Sequence, residues 1–375
     1  MSKRLHAGLL SVLMLIGLPG AVLAQEDTAD AVPMWRAATK QGAADVTAFG
    51  EGYVLVGGKA KPAQSKVWTS PDGAVWTKVT DSGLDGRAIT RVSAYEGGVA
   101  GLGSEGRRLI GWSSPDGTTW QKTTIDRAGK ELMLFPVALT DGPNGLLAAA
   151  HLIGQDLAGQ HMYQSTDGRK WTEVEPPLEV NDGMVVSLKA DEDEYLAIAR
   201  TTFNQAVDLY FRSPDGVTWQ PFEGPADGEL FDIAIGADGT YAAVGQVGVD
   251  DADQSVMRAA IWRADELGQW ELVHTSPSTK MGEERLDVIE VGGEGFVASG
   301  STSGCPQQPR SCPTAAILES ADGREWVALG VEDGVPGPLH DTTVNHVATN
   351  GSNTVMLAAH DRRPTETWTQ PAASE

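Results

Sequence analysis

The chain has 375 residues, with 28 lysines and arginines against 51 aspartates and glutamates, and carries a formal charge of −23 at pH 7. A field of that sign repels phosphate backbones and anionic lipid, which argues against nucleic-acid and membrane-surface partners. The acids are scattered and not in blocks, as on a soluble, self-repelling surface, and the length allows a large core in one repeat domain or two ordinary ones.

Residues 1–24 read as an export signal. Lys3 and Arg4 give a positive start, Leu9 to Leu18 an apolar run, and Val22-Leu23-Ala24 the small residues of a cleavage site before Gln25. The run is short for a membrane span, a retained N-terminal anchor being the alternative. No Cys follows the cleavage site, so no lipid anchor is expected, and no other apolar stretch approaches membrane length. The expected mature protein, 25–375, is secreted or periplasmic.

From residue 46 the chain reads as strands. Val46-Thr47-Ala48-Phe49 alternates, Gly50-Glu51-Gly52 turns, and Tyr53-Val54-Leu55-Val56 runs apolar. A polar loop, a strand carrying Trp68, a tight turn and a strand carrying Trp76 complete a four-stranded meander. The first pair recurs at Val92–Tyr95 with Val99–Leu102, Val137–Thr140 with Leu146–Ala150, and Val186–Lys189 with Tyr195–Ala199. It continues at Ile233–Gly236 with Tyr241–Gly245, Val288–Val291 with Phe296–Gly300, and Val344–Ala348 with Thr354–Ala359. No ten-residue segment carries a helical stripe.

An aromatic grid marks the second half of each unit. Around Asp72, Asp116, Asp167, Asp215, Glu266 and Asp322, at intervals of 44 to 56 residues, the fourth position before holds Trp68, Trp112, Tyr163, Phe211, Trp262 and Leu318. The fourth position after holds Trp76, Trp120, Trp171, Trp219, Trp270 and Trp326. Such a period signals a repeat architecture. Ser70-Pro71-Asp72-Gly73 suits a type I turn closed by a left-handed glycine. A three-residue loop would pair Ser70 with Ala74 and set Trp68 opposite Trp76. Asp265-Glu266-Leu267 lacks that glycine, though Gly268 follows, so a distorted fifth turn is expected.

The two ends complete one another. Thr367-Trp368-Thr369 matches a third strand that stops at the turn, and Met34-Trp35-Arg36-Ala37-Ala38-Thr39 matches the missing fourth. The N-terminal strand is therefore expected to close the last blade, which removes exposed sheet edges. The reading is all-β: one seven-bladed β-propeller over 25–375, with all eleven tryptophans structural.

The recurring Ser-Pro-Asp-Gly-x-x-Trp resembles the Asp-box of bacterial neuraminidase-type repeats, found across sialidase-like propellers. The resemblance covers essentially the whole mature chain. It implies structural roles for Asp72, Asp116, Asp167, Asp215 and Asp322, at turns far from any active site, and it does not fix a function. The Arg-Ile-Pro segment of that superfamily's sialidases is missing, and the six tyrosines all have strand or grid positions.

Other chemistry is thin. Cys305 and Cys312, in a Pro-rich loop, are expected to form a local disulfide. The histidines lack ligand-like clustering, and Val249 to Gln254, though rich in carboxylates, lacks the Gly and downstream Glu of a calcium loop. No catalytic residue, metal or cofactor is assigned. The connections between second and third strands swell at 247–257 and 301–313, which makes Asp250, Asp251, Asp253, Gln307, Gln308 and Arg310 the candidate binding rim. The expected protein is a monomeric, exported, noncatalytic scaffold for a protein or cell-surface glycan. The alternative is a glycan-active hydrolase or lyase, which a carboxylate pair with a stacking aromatic at the channel mouth would favour.

Overall fold

Apolar alternation broken by Gly, Pro and Asp leaves the backbone few options other than short antiparallel strands. The computed structural model describes residues 36–39, 42–59, 64–85, 88–154, 158–178, 183–201, 208–251, 254–276, 285–292, 295–303, 313–330, 335–336, 342–360 and 365–371. All of these lie in the compact unit Val32–Glu375. They form seven four-stranded antiparallel sheets, with a single 3₁₀ turn at Ser82–Leu84.

The first blade runs Ala43–Phe49, Gly52–Lys59, Gln64–Ser70 and Thr77–Lys78. The inner strands of blades 2 to 7 are Ile89–Tyr95, Met133–Gly142, Met184–Ala190, Gly228–Ile235, Arg285–Gly292 and Thr342–Thr349. Each inner strand contacts the next, and that of blade 7 returns to blade 1. The fold is a seven-bladed β-propeller.

Closure takes the expected form. Arg36–Thr39 is the outer strand of blade 7, pairing Arg36 with Thr369, Ala37 with Trp368, Ala38 with Thr367 and Thr39 with Glu366. Trp35 itself lies outside the described residues.

The core is divided among the junctions between blades. Val54, Val67 and Val79 of blade 1 pack on Ile89, Trp112 and Trp120 of blade 2, and a comparable buried cluster fills each other junction, including Leu55 and Trp68 against Val355 and Leu357 where the ring closes. A blade buries its faces only by having neighbours, as in other repeat folds.

The hairpin register differs from the sequence expectation. Trp68 lies opposite Lys78, and Thr69 opposite Thr77. The cause is the acid in the turn. Asp72 Oδ1 accepts the amides of Ala74 and Val75, both at 2.9 Å, which keeps those residues wrapped around the carboxylate and delays strand pairing by two residues. The same wrap recurs at Asp116, Asp167, Asp215 and Asp322. The tryptophan four residues on then caps the turn: the indoles of Trp120, Trp171 and Trp326 donate to the carbonyls of Gly117, Gly168 and Gly323. In blade 5 the left-handed residue shifts to Gly268, and Trp270 donates to Glu223 of the preceding blade.

These amide bonds hold the turn carboxyls below the usual carboxylate range, Asp215 at about 2. Groups that bind protons less readily when folded stabilise fully above about pH 4, and that contribution is lost as pH falls towards 2. Thermal melts should therefore show the midpoint falling between pH 4 and pH 2, and the double variant Asp116→Asn, Asp215→Asn should fall less steeply across that window. An equal slope in wild type and variant would contradict this.

The turn glycines also dock on the preceding blade. At Gly73, φ is +73°, and an added Cβ would overlap Val355 Cγ2 and lie 2.9 Å from Thr369 Cγ2. Thr369 Oγ1 donates to the Gly73 carbonyl at 2.6 Å. Gly73→Ala thus adds left-handed strain of about 1–2 kcal/mol to a clash across the closing junction. A lowered melting temperature is expected, whereas Gly106→Ala, with φ of +65° and open space, should show the strain alone.

Candidate functional site at the channel mouth

Every inner strand carries one residue out of register: Ala44, Thr90, Val137, Val186, Phe231, Asp287 and Asn345. A bulge bends its strand and re-aims side chains. All seven lie near the end at which the inner strand enters the sheet, the end where second strands leave for third strands. The residues after the bulges, among them Asp45, Arg91, Asp232 and His346, face a central cavity of about 420 Å³.

Two acids fasten this ring. Asp45 accepts the amides of Val46 at 2.8 Å and Val92 at 3.0 Å and lies 2.9 Å from His346 Nδ1, so it joins blades 7, 1 and 2. Burial opposes its charge, but His346, Arg91 and the Val92 amide outweigh burial and hold the carboxyl below its usual range. Asp232 accepts the Ser187 hydroxyl at 2.6 Å and the Ile289 amide at 3.1 Å, and lies 3.1 Å from Lys189 Nζ, joining blades 4, 5 and 6. Lys189 also pairs with Glu290 and donates to the Ile289 carbonyl at 3.2 Å. Burial works against the ammonium, yet Asp232 and Glu290 push its pKa up. Burial raises the Glu290 carboxyl more than Lys189 lowers it.

The rim of the cavity is uneven. On blade 5, Phe231 has the guanidinium carbons of Arg200 and Arg285 over its ring, 5.6 and 4.6 Å from the centroid. Arg200 grips Asp208 through two bonds of 2.7 and 3.0 Å, and Arg285 pairs with Asp287. Burial raises the Asp287 carboxyl despite that pairing. On blades 3 and 4 the rim is apolar: Met133, Phe135, Ile153 and Val186 are exposed.

Asp250 and Asp251 fall on the strand Tyr241–Asp251, which pairs with Gln254–Ala264 out to Asp251 opposite Gln254. The swelling read as a loop over 247–257 is therefore mostly an extended hairpin, because Val247-Gly248-Val249 and Ser255-Val256-Met257 can pair residue for residue. Asp253, Gln307, Gln308, Arg310, Cys305 and Cys312 lie outside the described residues. Sequence reasoning missed the bulge ring. Its trace is a break in alternation where each inner strand starts, as at Val185-Val186 and Phe231-Asp232. Among the described residues no group of three or more His, Cys, Asp or Glu is placed to hold a metal ion, and no helix is long and apolar enough to cross a membrane.

The six tyrosines are all engaged. Tyr53, Tyr195 and Tyr241 donate to Asn353, Gly145 and Glu194 of the preceding blade. Tyr95 and Tyr163 donate to Asp167 and Asp126, and Tyr210 accepts the Leu230 amide. Burial raises the pKa of all six, Tyr53 and Tyr210 to about 12.

No family model and no curated protein matches the chain. Solved structures share its fold at low identity. YCF48 bound to D1 peptide aligns with a TM-score of 0.57 at 16% identity, over 92% of this chain and 99% of that one. The GH74 xyloglucanase of Xanthomonas campestris aligns at 0.55 and 15%, over 92% of this chain and 56% of that one. The β-propeller domain of the Trilobed protease of Pyrococcus furiosus aligns at 0.51 and 10%, over 88% and 96%.

Proposed function

We propose that this protein is an exported, noncatalytic propeller of the Asp-box type that serves as a binding or assembly scaffold for a protein or surface glycan. The observation that carries the reading is the commitment of the channel acids to the ring itself. Asp45, Asp232 and Glu290 are each tied to a basic side chain, and two of them also hold backbone amides of neighbouring blades. A glycosidase needs one carboxyl able to donate a proton and a second free to attack or to activate water. Tyrosines with raised pKa values, each already hydrogen-bonded, are poor nucleophiles. The Ser-Asp-Gly turns of five blades, wrapped around the aspartate, support the Asp-box assignment. Asp250, Asp251, Asp253, Gln307, Gln308 and Arg310 remain the proposed rim of the binding face.

One observation favours the hydrolase alternative: the Asp287 carboxyl, raised by burial, stands beside the aromatic Phe231 at the mouth. Two guanidinium groups already lie over that ring, which leaves little platform for a sugar. Affinity capture from the exported proteome, run beside a glycan array, tests the reading. A saturable, uncleaved partner is expected, and a sugar ligand that is bound and cleaved would overturn it.

A further inference from the structure

The exposed apolar side chains are not spread evenly. Of the eight large ones exposed among the described residues, Val75, Val217, Leu272 and Val327 are scattered over blades 1, 4, 5 and 6. The other four gather at one place. Met133 pairs with Ile153 and Phe135 with His151 on the first two strands of blade 3. His151 Nε2 in turn lies 2.8 Å from the Val185 carbonyl, which brings this strip beside the blade 4 bulge at Val186. Val186 lines the central cavity, so an apolar path leads from the outer edge of the mouth into the channel.

The cavity at the end of that path is short of positive charge. Four carboxylates line it, Asp45, Asp232, Asp287 and Glu290, against two permanent cations, Arg91 and Lys189. Among the described residues, Asp287 on the rim is ion-paired with Arg285 alone, itself about half exposed. Buried negative charge of this kind is complemented by a cation brought in with a ligand.

Resting on the scaffold reading, we propose that the mouth over blades 3 to 6 docks an extended polypeptide segment of a partner protein. The segment sets an apolar side chain against Phe135, Ile153 and Val186 and directs a lysine or arginine towards Asp287. A small amine would fill the channel but leave the apolar strip bare, which is why the occupant is a polypeptide.

The test uses the full chain on an array of short random-sequence peptides, followed by anisotropy titration of the best binder. Binders should be enriched in Leu, Ile or Phe next to Lys or Arg. Phe135→Ser combined with Val186→Ser should weaken binding at least about tenfold and remove the apolar preference; Asp287→Asn should weaken it similarly and remove the basic preference. Asp287→Asn alters a rim side chain and keeps the comparison valid if the paired variant melts early. Enrichment in acidic peptides, no enrichment, unchanged affinity in folded variants, or equal competition by n-butylamine would each overturn the proposal. A captured partner indifferent to these variants overturns this docking mode alone, whereas glycan cleavage overturns the scaffold reading beneath it.

Discussion

Replacing Lys189 with Met should cost the fold about 3–5 kcal/mol at pH 7. The ammonium is only 20% exposed and is shared by Asp232, buried in the channel wall, and Glu290, half-buried beside it. Without it Glu290, whose carboxyl burial already raises, is left facing the Asp232 carboxylate, and it binds protons more tightly when folded than when unfolded. The sign of the pH dependence follows. A raised carboxyl pKa imposes no cost below about pH 4, where both states are protonated, and an increasing cost as pH rises towards 7. Urea unfolding at pH 4 and pH 7 should show the gap between wild type and variant widening at the higher pH, with Lys189→Arg recovering most of the loss. A gap that is equal at both pH values would mean that the methionine acts through packing alone.

Trp112→Ala should lower stability by about 3–5 kcal/mol, and Trp326→Ala by less than half as much. The two residues occupy the two arms of the aromatic grid, which turn out to have different work. Trp112 is fully buried in the junction between blades 1 and 2, where it touches the cores of both. Trp326 is half-buried and folds over its own turn, donating to the Gly323 carbonyl at 3.0 Å. Thermal and chemical denaturation of the two variants checks this, and equal losses would contradict the division of roles.

That division was not legible in the sequence, although the grid was. The repeat spacing and the matching halves at residues 34–39 and 365–371 were enough to predict seven blades and the strand that closes them. The register within each hairpin was not. A three-residue loop is the common choice for Ser-Pro-Asp-Gly, and it would have set Trp68 against Trp76. The aspartate instead captures two further amides, which costs two residues of pairing, and in blades 2, 3 and 6 the second tryptophan becomes a lid over its turn. The blade 5 hairpin was hidden for a different reason. Asp250, Asp251 and Asp253 look like a solvated loop, yet the ladder continues from Val249 opposite Val256 through Asp250 opposite Ser255 to Asp251 opposite Gln254.

The channel ring was harder still to see. Its bulges fall on Ala44, Thr90, Val137, Val186, Phe231, Asp287 and Asn345, which share no chemistry, because a bulge is a property of backbone pairing and not of side-chain type. Nor does anything local mark Asp232 as the partner of Lys189 and Ile289, since those groups come from different blades and meet only when the ring has closed. The charged residues that shape the site are therefore ordinary in sequence and special only in position.

The channel acids are proposed to serve the ring and its partner and to perform no hydrolysis. Reducing-end release from a panel of plant and bacterial polysaccharides, measured with wild type and with Asp287→Asn, tests it most directly. Release from wild type no greater than from the variant, and no greater than from buffer alone, is the predicted result. Release by wild type that Asp287→Asn abolishes in a folded protein would contradict the account.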